Sequence, residues 1–205
     1  MSYFSHPFLS NSDLKAFKRK LGLLPEEPEN LQEIFDFGSL FHSLILEPHL
    51  ADMANKDVEL ALQMRDRYWK DPMCRSFSMA SDFSREKEFY EERRVGPYKV
   101  KMRCKADGTR DRLKWLLELK GLRSKNEKEF RSALTRMDYD QAAAHYLITT
   151  DYDTELIAGI SKSDPNKMFK WLTKRYDEFY LQGEQKLIDT LTLLRDYSPE
   201  DVVLV

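Results

Sequence analysis

Around residue 86 the chain changes to a period of two, and this limits what it can fold into more than any other feature. Val100, Met102, Cys104 and Ala106 alternate with Lys101, Arg103, Lys105 and Asp107. That pattern describes a strand with one apolar face and a second face of three cations ending in a carboxylate. Glu88 to Val95 and the Gly96-Pro97 pair precede it, so Glu88 to Gly108 reads as a β-hairpin. After a polar turn, Lys114-Trp115-Leu116-Leu117-Glu118-Leu119-Lys120 forms a short strand rich in apolar residues.

Helical spacing dominates on both sides of this centre. Ser10-Asn11-Ser12-Asp13 is a helix cap ahead of Leu14. Leu31 to Leu46 repeats Ile34, Phe37, Leu40, Phe41 and Leu44 at helical intervals, and Pro48 stops it. Residues 51 to 80 read as polar helix with Leu60, Met64 and Trp69 inward. A helix from about Glu127 carries Phe130, Leu134 and Met137, with Gln141 next if Tyr139-Asp140 does not interrupt it. Tyr146 to Thr150 and Thr154 to Ile160 read as further strands. Asn166 to Leu194 reads as one long amphipathic helix through Met168, Leu172, Phe179, Leu187, Leu191 and Leu194. Helices, then strands, then helices predict an α/β fold with a central mixed sheet flanked by helices. A chain of 205 residues suits one domain, spanning 1-205.

No apolar run approaches the ~20 residues of a membrane span, and Met1 to Ser12 lacks a secretory layout. The expectation is a cytoplasmic protein without membrane contact. Cys74 and Cys104 form no CxxC pair or disulfide framework, and Cys104 reads as a buried thiol. Four scattered histidines do not suggest structural zinc. The net charge of -2 neither requires nor excludes nucleic acid, because phosphate affinity comes from local patches. Two such patches exist, Arg93 to Lys105 and Lys120 to Arg136.

The chemistry concentrates around Asp107, Glu118 and Lys120. Glu118 and Lys120 lie two apart on a strand and share a face, while Asp107 ends the strand beside it. Strands ~4.8 Å apart let such carboxylates converge on one hard cation such as Mg²⁺ or Mn²⁺. Alone, a Glu-x-Lys pair is usually a surface ion pair worth under ~1 kcal/mol. The tight alternation with Trp115, Leu117, Leu119 and Leu122 points instead to charges on a covered strand, which need a reason to be there.

The order of motifs is similar to the RecE-like and RecB-like exonucleases of the PD-(D/E)xK superfamily, including the phage-borne exodeoxyribonuclease VIII group. Ser10 to Lys15 resembles their opening helix, and Phe37 to Pro48 their Gly-x-x-x-His helix ending in Leu-Glu-Pro. Lys105-Ala106-Asp107 stands at their Arg-Pro-Asp, Leu117 to Lys120 at their acidic-x-Lys, and Tyr139 to Tyr146 at their Gln-and-Tyr helix. The resemblance implies a restriction-endonuclease-like core, with Asp107, Glu118 and Lys120 catalytic and Asp107, Glu118 and His42 at a Mg²⁺ site. On a helical wheel His42 falls off the Phe37, Phe41 and Leu44 stripe and beside Gly38, whose missing side chain would permit close approach. A further acid from the preceding strand often completes such sites. A two-residue turn puts Glu88 and Glu92 on the Asp107 face, with Glu92 preferred, whereas a longer turn selects Glu91.

Three departures stand out: Ala106 for proline, Gly121-Leu122 for small hydroxyl residues, and Ala142 where the motif glutamine belongs. Gln141 is next door and could take that role, while Tyr146 is expected to pack. Arg103 and Lys105, which share the Asp107 face, and Arg123 and Lys125 are expected to contact DNA, with Lys128, Arg131 and Arg136 beyond them. The resemblance further implies cleavage of duplex DNA ends in phage-type recombination, a ring-like homo-oligomer and a single-strand annealing partner. A non-catalytic nucleic-acid-binding module and an endonuclease of the superfamily are the alternatives.

Overall fold

The computed structural model describes residues 7–197 and 202–204. Ser10 opens α1 (Asn11–Lys20) with a capping box, its hydroxyl accepting from the Asp13 amide while the Asp13 carboxylate accepts in return. Next come α2 (Leu31–Leu46), a 3₁₀ turn at Pro48–Leu50, α3 (Val58–Lys70) and α4 (Pro72–Ser78). The hairpin is β1 (Phe83–Val95) with β2 (Tyr98–Arg110), followed by β3 (Trp115–Leu122). Then come α5 (Glu127–Arg136), α6 (Tyr139–Thr150), β4 (Thr154–Ser161), β5 (Met168–Lys174), α7 (Glu178–Tyr197) and β6 (Val202–Leu204).

The sheet runs β1-β2-β3-β4-β5, with β6 paired to β2. Among the described strands the β3–β4 pairing is parallel and the others are antiparallel, so the sheet is mixed as the alternation of elements predicts. Leu117, Leu119, Leu156, Ala158 and Ile160 pack against α2, α3 and α4. On the opposite face Val100, Met102, Ala106 and Leu116 pack under α1, α6 and α7. Leu122, Phe130, Leu134 and Ile157 extend that side below α5.

Several expectations change in the folded chain. Tyr146 to Thr150 is the end of helix α6, not a strand. This helix is buried on nearly every side, so it has no polar stripe to reveal a helical period. The single helix expected from Asn166 to Leu194 is instead edge strand β5 and helix α7. Phe169, Trp171 and Thr173 alternate along β5, and Asp177 starts α7 by accepting from the Tyr180 amide at 2.9 Å. Met137 ends α5 exposed rather than joining its buried stripe, and Ile34 is also exposed. In α3 the inward stripe is centred on Ala61, Met64 and Tyr68, leaving Leu60 and Trp69 half-buried. Among the described residues no helix is long and apolar enough to cross a membrane.

Candidate active site

The site forms where β2 and β3 part. Their pairing runs through Arg110↔Trp115, Thr109↔Leu116 and Gly108↔Leu117, and goes no further. In an antiparallel ladder the next inward-facing backbone groups on β3 would be those of Leu119. Side chains satisfy them instead. The Leu119 amide donates to Asp107 Oδ2 at 2.6 Å, and the Leu119 carbonyl lies 3.1 Å from His42 Nε2. Asp107 is thereby fastened to the strand carrying Glu118 and Lys120, and α2 brings His42 to the same notch.

His42 has an acceptor on each nitrogen. Nε2 faces a carbonyl and is therefore the donor. Nδ1 lies 3.1 Å from Asp107 Oδ1, so it either carries a second proton or shares a cation with that carboxylate. Without a cation, burial opposes charge on both partners, yet their mutual attraction prevails. His42 is raised and Asp107 lowered from their ordinary pKa values.

Glu118 behaves differently. Burial, reinforced by the charge of Asp107, pushes its carboxyl up to about 7. Glu118 Oε1 accepts from the Lys120 ammonium, while the buried Oε2 has no protein partner. Burial works against the Lys120 charge, but Glu118, Tyr139 and Asp107 outweigh it and raise its pKa. Lys120 Nζ also stands 5.3 Å from the ring centroid of Tyr139 at the start of α6. The two acids, the lysine and the histidine thus meet in one electrostatic cluster.

The third acid at the notch is Glu86. One ligand atom each from His42, Glu86 and Asp107 lie within 4.8 Å of one another. Gly96-Pro97 is a two-residue turn, since Val95 pairs with Tyr98. The register then sets Glu86 opposite Asp107, between Arg85↔Gly108 and Lys87↔Ala106. Glu92, which shares that parity, sits beside Lys101 far up the hairpin and pairs with Lys99 at 2.6 Å. Glu88 accepts from the Tyr90 hydroxyl and Glu91 pairs with Arg93, so neither is placed at the notch. The sequence signal available was parity alone. It placed the acid on the right face but at the wrong height, because the strand begins at Phe83, earlier than alternation shows.

Other expected positions are also relocated. Gln141 is wholly buried and accepts from Lys18 and Thr190, within the α1–α6–α7 packing and away from the notch. Tyr146 packs against the α1, α6 and α7 side of the core. Arg103 is buried, 3.0 Å from Asp13, which removes it from any nucleic-acid surface. Lys105 stays at the rim, 2.7 Å from Glu86. Arg123 and Lys125 are exposed just past β3. A Cβ added to Gly38 meets open space, so close approach is not its reason. Sequence reasoning missed Tyr139, Lys15 and Glu155. Glu155 on β4 is fully buried, burial holds its carboxyl well above the usual range, and its Oε2 has no partner.

The donor set of one imidazole nitrogen, several carboxylate oxygens and an orphaned buried acceptor on Glu118 fits a divalent cation. A hydrogen bond from the far nitrogen to a backbone carbonyl, as from His42 Nε2 to Leu119, orients a ligating imidazole. Beyond Lys120 a groove of about 860 Å³ opens, lined by Arg123, Lys128, Arg136 and Lys162. A pocket of about 200 Å³ beside His42 and Glu86 opens on the other side.

Fold and site together define a mixed-sheet α/β protein with an acidic, lysine-bearing notch at a strand divergence. A crystal structure of a candidate exonuclease from Eubacterium rectale shares the fold, with TM-score 0.62 and 14% identity over 95% of this chain and 85% of that one. Looser overlaps reach a phage-related exonuclease from Haemophilus somnus (TM-score 0.45, 10% identity, 90% and 95% covered). An alkaline exonuclease from Laribacter hongkongensis overlaps similarly (TM-score 0.40, 12% identity, 93% and 89% covered). At such identities the first likeness speaks for the chain path, and the two looser ones carry no weight. No protein-family model and no curated protein matches the chain.

Proposed function

We propose that this chain is a metal-dependent nuclease of the PD-(D/E)xK superfamily, a single domain that hydrolyses phosphodiester bonds in DNA. The observation that carries the reading is His42, whose two nitrogens both face oxygen acceptors beside Asp107, Glu86 and Glu118. In this reading His42 Nδ1, Asp107 and Glu86 hold the cation, with Glu118 Oε2 available as a further ligand. A bound Mg²⁺, or Mn²⁺ in its place, supplies Lewis-acid polarisation of the phosphate and lowers the pKa of water.

The remaining work falls to the chain. Lys120 keeps its proton, so it presents a fixed positive charge to the phosphate rather than acting as a base in the metal-free state. Glu118 and the Tyr139 ring hold that ammonium in place. Asp107 is tied to the Leu119 amide and therefore needs no reorganisation. Arg123, Lys128, Arg136 and Lys162 line a path for the backbone leaving the centre.

The finer reading is an exonuclease acting at duplex ends in phage-type recombination, in the cytoplasm, as a homo-oligomer with an annealing partner. The family resemblance implies the duplex ends, the recombination role and the partners, and the cytoplasmic location is an expectation from composition. The test is release of nucleotides from linear duplex DNA with Mg²⁺, abolished in Glu118→Ala and Lys120→Ala. Cutting of covalently closed circles would favour an endonuclease. The placement of Gln141 away from the notch motivates the other reading, a binding module without catalysis. Metal-independent DNA binding by an inactive wild type would select it.

A further inference from the structure

Lys15 is the second ammonium at the Tyr139 ring. The capping box of α1, gripped from β2 by Arg103 on Asp13, sets where Lys15 projects. Its Nζ stands 5.1 Å from the Tyr139 ring centroid and donates to the Met137 carbonyl at 2.8 Å. Lys120 approaches the same ring. The two cations differ in compensation. Lys120 is paired with Glu118, whereas among the described residues no carboxylate reaches ion-pair distance of Lys15. Asp138, the residue before α6, attracts Lys15 but is engaged by Lys18 and Lys186. Burial, then the repulsion of Lys120, lowers the Lys15 ammonium to about 8. A half-buried cation beside another cation, with its nearest acids Asp138 and Glu118 already paired to other lysines, gains from an anion that joins the two.

We propose that Lys15 and Tyr139 form a second phosphate subsite, which holds the phosphodiester adjoining the one at Lys120 on the strand being cut. This rests on the nuclease reading for the role of Lys120, but not for the subsite's affinity for a phosphate backbone. A purely structural role is the competing account, since Lys15 caps the carboxyl end of α5 through Met137. That role would affect stability and leave nucleic-acid binding alone.

Binding of a fluorescent single-stranded oligonucleotide, followed by anisotropy across a salt series without metal, separates these accounts. Lys15→Gln and Lys15→Met, the latter keeping the aliphatic stem, should bind about tenfold more weakly, as for one lost charge-assisted contact. Their slope of log affinity against log salt should be shallower by about 0.7. Lys15→Arg should retain both quantities, and Lys20→Gln at the exposed end of α1 should match wild type. In turnover with Mg²⁺, Lys15→Met should raise KM far more than it lowers kcat. Wild-type affinity and slope in Lys15→Met overturn the subsite, whatever the enzyme's activity. Binding by wild type without cleavage in any divalent metal sinks the nuclease reading and leaves the subsite standing on its salt slope. Absence of any oligonucleotide binding by wild type overturns the subsite and leaves the nuclease reading to its own Mg²⁺-dependent test.

Discussion

Replacing Glu86 by glutamine tests the metal site where sequence and structure diverge most. The β1–β2 register places Glu86 opposite Asp107, whereas Glu92 lies six residues further along β1. At ~3.3 Å per residue that separation is roughly 20 Å, beyond any shared coordination shell. A cation at one hundred times its Kd stabilises the folded state by about 2.7 kcal/mol. For a chain of this length that corresponds to a Tm increase of about 5–11 °C, at 2–4 °C per kcal/mol. Even supporting residues around a metal are worth 10–100-fold in affinity, so loss of a charged ligand should cost at least that much. At the same metal concentration the stabilisation in Glu86→Gln then falls to about 0.4–1.4 kcal/mol, an increment of roughly 1–6 °C. The assay is thermal denaturation with and without Mn²⁺, alongside calorimetric titration of the metal. Glu92→Gln should keep the full wild-type increment. A full increment in Glu86→Gln, or its loss in Glu92→Gln, refutes the geometry.

Three further outcomes follow from the same structure. The Glu118 carboxyl is held at about 7, above its ordinary 4.5, so its contribution to metal-free stability is present below pH 4.5 and lost as pH rises through 7. Denaturant unfolding of the metal-free protein should therefore show Glu118→Gln gaining on wild type between pH 5 and pH 8, by up to roughly 3 kcal/mol; equal curves at both pH values would contradict it. Burial raises the Glu155 carboxyl well above the usual range, so the folded state favours its protonated form. Glu155→Gln should gain stability relative to wild type as pH rises, read by denaturant unfolding across a pH series; a constant difference across the series would contradict it. At Gly183 an added Cβ would lie 1.9 Å from the Asp140 carbonyl oxygen and 2.9 Å from the Gln141 amide. Gly183→Ala must push α7 off the start of α6, lowering stability by at least about 1–3 kcal/mol in a thermal scan; an unchanged Tm would refute that close contact.

Much of the notch is legible before folding. Asp107, Glu118 and Lys120 lie on segments whose alternation identifies them as strands, and α2 shows its buried stripe through Phe37, Leu40, Phe41 and Leu44. What escaped is also consistent. Helix α6 escaped because burial on all sides removes the polar face that periodicity needs. Strand β5 escaped because Met168 and Leu172 stand at an interval that suits a helix as well as an edge strand. Gln141 was read by its neighbours in sequence, yet its side chain is aimed by the turn at Asp138, whose left-handed backbone ends α5 and resets the rotation of α6.

By itself the sequence determined which segments alternate, which face of each strand is apolar, and that two acids and a lysine lie near one another along the chain. Those are local properties, set by side-chain order and the two-residue pleat. Only the tertiary structure decided where β2 and β3 separate, that His42 and Asp107 replace the missing ladder at Leu119, and that Glu86 rather than Glu92 faces Asp107. Strand register and divergence are contests between distant backbone partners, and no periodicity within a single segment records which partner wins.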